Sequence, residues 1–236
     1  MTIKDMHYDF KSKLNKIDSS QYRNLYIPEI DRKLNEAAYI FIKSIAQPRF
    51  AENMGLEMNQ RTIEDLRTLI IDGKILPATT INNIDYFVTI PDDYLYPANM
   101  KVLASKGSCT EKVCEVIVRK HNDKHELSPF DISSFEWREV NVHFVQDKIR
   151  IFTDGTFIIH SIELDYLRKM EYMHNAEDFN ATGYELPNGT LLTGRQDCEL
   201  TEEVHGEIVD LAVLITSGEI NAVDFQLKQM KIQLNQ

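Results

Sequence analysis

The residues whose types and spacing come nearest to chemistry lie between positions 121 and 126, where His121 and His125 stand four apart with Asp123 and Glu126 beside them. Two imidazoles at that spacing share one side of a helix and could bind a divalent metal, with the carboxylates adding oxygen ligands. Asn122-Asp123-Lys124 reads instead as a polar turn. Neither an HExxH pattern nor a third ligand at fixed spacing accompanies the pair, so the expectation is no metal and no cofactor.

A second group is Glu202, Glu203, Glu207 and Asp210, which could supply paired carboxylates for acid–base work. Their spacing reads as the solvated face of a helix. His205, among them, is a general base only as any histidine is, and is expected on the helix surface or at a subunit contact. No GxSxG elbow is present, and nine thinly spread glycines leave little material for a phosphate-cradling loop. Trp137, the single tryptophan, sits near Phe135; it could stack against a base, but core or interface packing is the default for so amphipathic a ring. Cys109, Cys114 and Cys198 form an odd set without a CxxC pair, which argues for a reducing compartment and for small buried hydrophobes. No catalytic residue is assigned, and the chain is read as a protein that is not an enzyme.

The elements that carry these residues follow from periodicity. Ile3, Met6, Phe10, Leu14 and Ile17 lie on one face of a first amphipathic helix. Ile27-Pro28 opens a second, with Glu29 and Asp31 as favourable first-turn charge and Ile30, Leu34, Ala37, Phe41 and Ile45 on its inner face. A third, capped by Asn59, carries Ile63, Leu66 and Ile70 and stops at Asp72-Gly73. From Ala78 the pattern turns extended: residues 79–90, 100–105, 112–121, 140–146 and 148–154 are rich in β-branched and aromatic side chains. The run 140–169 reads as two or three adjacent antiparallel strands, residues 92–97 as a turn, and Asn188-Gly189 as a hairpin. Thr201 sits where an N-cap belongs, and Val204, Ile208, Leu211 and Ile215 line one stripe of a last helix. Beyond Ser217-Gly218 the stripe resumes with Val223, Leu227, Met230 and Leu234, and the segment also carries Phe225 and Ile232 off that stripe. Phe225, Leu227, Met230, Ile232 and Leu234 are more apolar than a frayed terminus requires and are candidates for a partner contact.

The expected fold is α+β: a helical bundle formed by N- and C-terminal helices, with an antiparallel β-rich domain inserted between them. The expected divisions are 1–75, 76–197 and 198–236. No run of about 18 apolar residues exists to span a membrane, and the N-terminal stretch lacks the apolar region of a signal peptide. A net charge of −11 argues against a surface that grips DNA, because phosphates are held mainly by Lys and Arg. It does not argue against a wall that DNA slides past.

Four stretches, in order, resemble the head-to-tail connector proteins of tailed bacteriophages, in particular the neck ring proteins of crAss-like phages, which are related to tail tubular protein A and the portal adaptors. They are residues 26–45 (YIPEIDRKLNEAAYIFIKSI), 61–70 (RTIEDLRTLI), 164–169 (LDYLRK) and, most specifically, 198–213 (CELTEEVHGEIVDLAV). The family strand usually continues into a proline where this chain has Met170, and the last block commonly has a proline where this chain has Thr201. The resemblance implies a virion structural protein, made in the host cytoplasm, that closes a homo-oligomeric ring of about twelve copies around the DNA passage. Its implied partners are the portal, reached by the C-terminal segment, and the adjacent neck ring or tail proteins. Two readings from other classes remain open: a small cytoplasmic metal-dependent enzyme using His121 and His125, and a monomeric module that binds a partner through its C-terminal helix.

Overall fold

The computed structural model describes residues 1–15, 25–46, 64–82, 84–107, 111–119 and 133–220. His121, His125 and their neighbouring carboxylates lie outside the described residues, as do Cys109, Ile17, Ile63 and the partner-contact candidates Phe225, Leu227, Met230, Ile232 and Leu234. The chain is mixed in class. It divides into two compact units, one built from residues 1–69 and 170–236 and the other from residues 70–169.

The first unit holds the long helices. Helix α1 (Ile3–Asn15) buries Ile3, Met6, Phe10 and Leu14, the stripe that its period predicts. Helix α2 (Ile27–Ala46) buries Ile30, Leu34, Ala37, Ala38 and Ile42, while Phe41 and Ile45 stay half-buried. The small Ala37 and Ala38 let a neighbour come close. The last helix (Glu202–Ile220) packs against both α1 and α2. Because it serves two partners, its buried surface is wider than one stripe: Val204 and Ile208 are joined by Val209, Ala212 and Val213, and Leu211 and Ile215 are only half-buried. Nor does it break at Ser217-Gly218. Thr216 donates its hydroxyl to Ala212 O (2.8 Å) and Ser217 to Leu214 O (2.9 Å), so both buried hydroxyls are satisfied along the helix. Between the long helices in sequence lie the short strands β9 (His174–Asn175), β10 (Tyr184–Glu185), β11 (Leu191–Leu192) and β12 (Arg195–Gln196) and one short helix, α3 (Ala176–Phe179). The last helix is therefore α4. β10 and β11 close the hairpin expected around Asn188-Gly189, through Leu186 N to Thr190 O (2.9 Å).

The second unit is one curled sheet of eight strands in the order β1-β8-β4-β5-β6-β7-β3-β2. The strands are β1 (Ile70–Pro77), β2 (Thr79–Asn82), β3 (Asp85–Thr89), β4 (Tyr94–Ser105), β5 (Lys112–Val118), β6 (Glu139–Val145), β7 (Lys148–Phe152) and β8 (Ile158–Arg168). One face is apolar throughout. Val102, Cys114, Val140, Val142, Ile149, Ile151, Ile162 and Leu164 are fully buried in a single core.

Four expectations are corrected here. Ile70 ends no helix: after a 3-10 turn at Arg67–Leu69 it opens β1, because two β-branched isoleucines pair readily opposite Leu167 and Tyr166 of β8. Gly73, at φ 66°, is then the bulge of that strand and not a helix cap. Residues 94–97 are strand, and Pro97 is tolerated because the register slips between it and Asn99. The sheet is not wholly antiparallel, since β5 and β6 run parallel, and β8 does not sit beside β7 but between β1 and β4. Residues 170–197 carry only two-residue strands, and the contacts of this stretch are with α1 and α2.

Candidate functional site

The densest polar arrangement is buried in the first unit, where only paired polar groups can stay. His7 follows Met6 on the inner face of α1, and Asp31 follows Ile30 on the inner face of α2; both are buried, Asp31 completely. His7 Nε2 lies 2.6 Å from Asp31 Oδ1. Tyr184 donates its hydroxyl to Asp31 Oδ2 at 2.7 Å, and the Asn175 backbone N–H donates to the same oxygen at 3.2 Å. A carboxylate only accepts, so His7 must carry its proton on Nε2. Burial first, and then the bond to Asp31, push the Tyr184 hydroxyl far above the ordinary tyrosine range, which keeps it a donor. Burial also pushes Tyr172 up, helped by the Asp31 charge nearby.

One turn along α2, Asn35 completes the arrangement. Its Oδ1 accepts the Met173 N–H (2.9 Å), and its amide donates to Met173 O (2.7 Å) and to the Asp31 carbonyl (2.7 Å). Asp31 and Asn35, at i and i+4, thus act toward residues 173–175 as a strand edge would. On its other side β9 pairs with β12, Asn175 opposite Arg195. Outside this, Asn175 Nδ2 donates to Asp178 Oδ2 (3.0 Å) and Arg195 to Asp178 Oδ1 (2.8 Å), while Lys4 approaches Asp178 at 3.5 Å. The Asn175 amide and then Arg195 hold the Asp178 carboxyl down to about 2.

An Asp–His pair is the orienting half of a catalytic triad. Here it lacks access, since His7, Asp31 and Tyr184 are all buried and both carboxylate oxygens are engaged by protein donors. What the geometry does is clasp α1, α2 and residues 173–184 together.

The sheet unit has a smaller counterpart on β8. The ring of Tyr166 is fully buried, and its hydroxyl donates to Asp93 (3.0 and 3.1 Å) while accepting from Lys74 Nζ (3.1 Å). The neighbouring Asp165 accepts from Gly73 N (2.7 Å) and Asn99 Nδ2 (3.2 Å), and the first of these bonds pulls its carboxyl down. Alternate residues of LDYLRK thus face opposite ways, and both sets tie β8 to the strands beside it.

The residues singled out by sequence are not gathered at one place. Glu202, Glu203 and Glu207 are exposed along α4, and Asp210 pairs with Lys13 of α1 at 3.0 Å. His205 is not on the surface, as expected, but buried: its Nε2 lies 2.9 Å from Leu200 O, so it donates there, because the residue falls on the turn of α4 that meets the core. Thr201 stands at the N-cap position, yet its hydroxyl makes no bond, and the helix start relies on Val204 N to Thr201 O (3.1 Å). Trp137 is 80% exposed at a turn of residues 135–138 and takes no part in the core. Cys114 is buried; Cys198 is half-buried, and desolvation pushes its thiol up to about 11. Among the described residues no three His, Cys, Asp or Glu are grouped to hold a metal ion, and no helix is long and apolar enough to cross a membrane.

The clasp was missed because Asp31 reads as first-turn helix charge. The available signal was its place beside Ile30 on the apolar stripe, four residues before another amide side chain, Asn35. Compared with known proteins, the sequence matches no family profile and no curated sequence.

Proposed function

We propose that this chain is a virion structural protein, a ring-forming connector of the phage neck that joins portal to tail around the DNA passage. The observation that carries the reading is the pairing of the chain's two ends. Helices α1 and α2 meet α4 across most of the sequence in one unit, and the intervening residues 70–169 form a sheet with its own core. These two units support the reading, since the resemblance implies a helical bundle completed by the C-terminal helix with a β-rich domain inserted. Residues of three of the four stretches fall on elements that hold the fold: 27–45 on α2 with its clasp, 164–168 on β8 between β1 and β4, and 202–213 on α4.

The mechanism is mechanical. Subunits close head to tail, the segment beyond α4 reaches the portal, and the acidic balance of the chain keeps passing DNA from sticking. Light scattering of the purified chain, alone and mixed with a portal assembly of the same phage, tests this. Joining the portal in a fixed multiple, lost on deletion of residues 221–236, supports the reading; absence of the protein from the neck of intact virions refutes it.

A further inference from the structure

Asn188 is the only asparagine of the chain that is followed by glycine. That dipeptide carries a reaction of its own. The next backbone nitrogen can attack the side-chain amide carbon of an asparagine through a five-membered ring, and a glycine nitrogen is the one that no Cβ screens. Both residues are exposed at the tip of the β10–β11 hairpin. Asparagines that hold structure in the same unit are placed otherwise: Asn175 is buried, and Asn35 is fixed by its three hydrogen bonds.

The turn supplies one aid and one restraint. Thr190 N–H donates to Asn188 Oδ1 at 3.0 Å, on the oxygen where negative charge develops as the amide carbon is attacked. Gly189 N–H donates to Leu186 O at 2.9 Å, and that bond has to open before the nitrogen can turn to Asn188. Little holds it shut. The hairpin has two residue pairs, Tyr184 opposite Leu192 and Glu185 opposite Leu191, with Leu186 N to Thr190 O beyond them. A ladder that short is marginal by itself. Its anchor is Tyr184, buried at the base with its hydroxyl on Asp31 Oδ2.

We propose that Asn188 is a self-modification site whose rate is set by the Asp31 clasp. In the step, the Gly189 nitrogen bonds to Asn188 Cγ, the Cγ–Nδ2 bond breaks, and ammonia leaves with the Gly189 proton. Water then opens the cyclic imide. Cleavage at Cγ leaves aspartate, and cleavage at the main-chain carbonyl leaves isoaspartate, whose backbone runs one methylene longer. Either product adds a negative charge, and the longer backbone puts the Leu186–Thr190 closure out of register, so the change acts back on Tyr184.

This site goes beyond the connector reading and does not depend on it. Peptide mass spectrometry of the full chain held at pH 8, with fragmentation that separates aspartate from isoaspartate, tests it. Asn188 is expected to convert ahead of every other asparagine. Tyr184→Phe should raise its rate about fivefold, the factor by which loss of one clasp hydrogen bond shifts local opening. Hydrogen exchange at Tyr184 should rise in the converted chains, and Asn188→Gln, which would need a larger ring, should keep its amide. An Asn188 that stays intact while another asparagine converts, or a Tyr184→Phe rate equal to that of the wild type, overturns the proposal. Portal binding of the wild type decides the ring reading separately, so either can fall without the other.

Discussion

Replacing Asp31 with alanine tests the clasp most directly. The carboxylate is fully buried and receives three donors, from His7, Tyr184 and the Asn175 backbone. Removing it leaves all three without an acceptor in the core, at about 1–3 kcal/mol each before relaxation. Water entry recovers part of that, so the expected loss is about 4 kcal/mol. That is a large share of the stability of an ordinary domain, roughly 5–15 kcal/mol. The described helices all belong to the unit that holds Asp31, so far-ultraviolet circular dichroism during urea unfolding follows that unit. With a slope near 2 kcal/mol/M the midpoint should fall by about 2 M. Hydrogen exchange should rise in α2 and at Met173–Asn175 but not in β8. Tyr184→Phe removes one donor and leaves two, so it should cost about 1 kcal/mol. An Asp31→Ala midpoint within about 0.3 M of wild type, or a Tyr184→Phe loss as large as that of Asp31→Ala, would refute the clasp.

Further outcomes are expected elsewhere in the same unit. Asp178 titrates at about 2 when folded, below the ordinary carboxylate value of about 3.9, so its contribution is present above that value and is lost as pH falls toward 2. The difference in melting temperature between wild type and Asp178→Asn should therefore shrink from pH 7 to pH 3, and a constant difference would contradict the assignment. Gly183 has φ 78°, and a Cβ there would stand 1.9 Å from Leu192 O. Gly183→Ala should cost about 2 kcal/mol or more and raise exchange at Tyr184, measured by urea unfolding and hydrogen exchange. Thr201→Ala should change stability by less than about 0.5 kcal/mol, where a working N-cap loses about 1, because its hydroxyl is without a partner. The Cys198 thiol, raised to about 11, should alkylate at pH 8 about a hundredfold more slowly in the folded than in the unfolded chain, read by peptide mass spectrometry.

Periodicity located what local geometry controls. The stripe Ile3, Met6, Phe10, Leu14 is the buried face of α1 because a 3.6-residue repeat leaves it no other way to turn. The β-branched runs at 112–118, 139–145 and 148–152 are strands for a comparable reason, the fit of such side chains to a pleated surface. Where one residue type serves two local structures, the pattern chose wrongly. Gly73 fits a helix C-terminus and a bulge equally well, and the pairing of Ile70 and Ile71 with β8 decided for the bulge. Asp31 suits a first helical turn whether it points to solvent or to the core.

Local pattern was enough for the long helices and most strands, the hairpin at Asn188-Gly189 and the acidic, mixed-class character of the chain, since propensity, period and charge are properties of neighbours in the chain. Tertiary structure alone decided that β8 lies between β1 and β4, that β5 and β6 run parallel, and that Asp31, His7 and Tyr184 converge in the core. Those are contacts between residues from 24 to 153 positions apart, and no local preference of either partner encodes which distant donor will come to meet a buried acceptor.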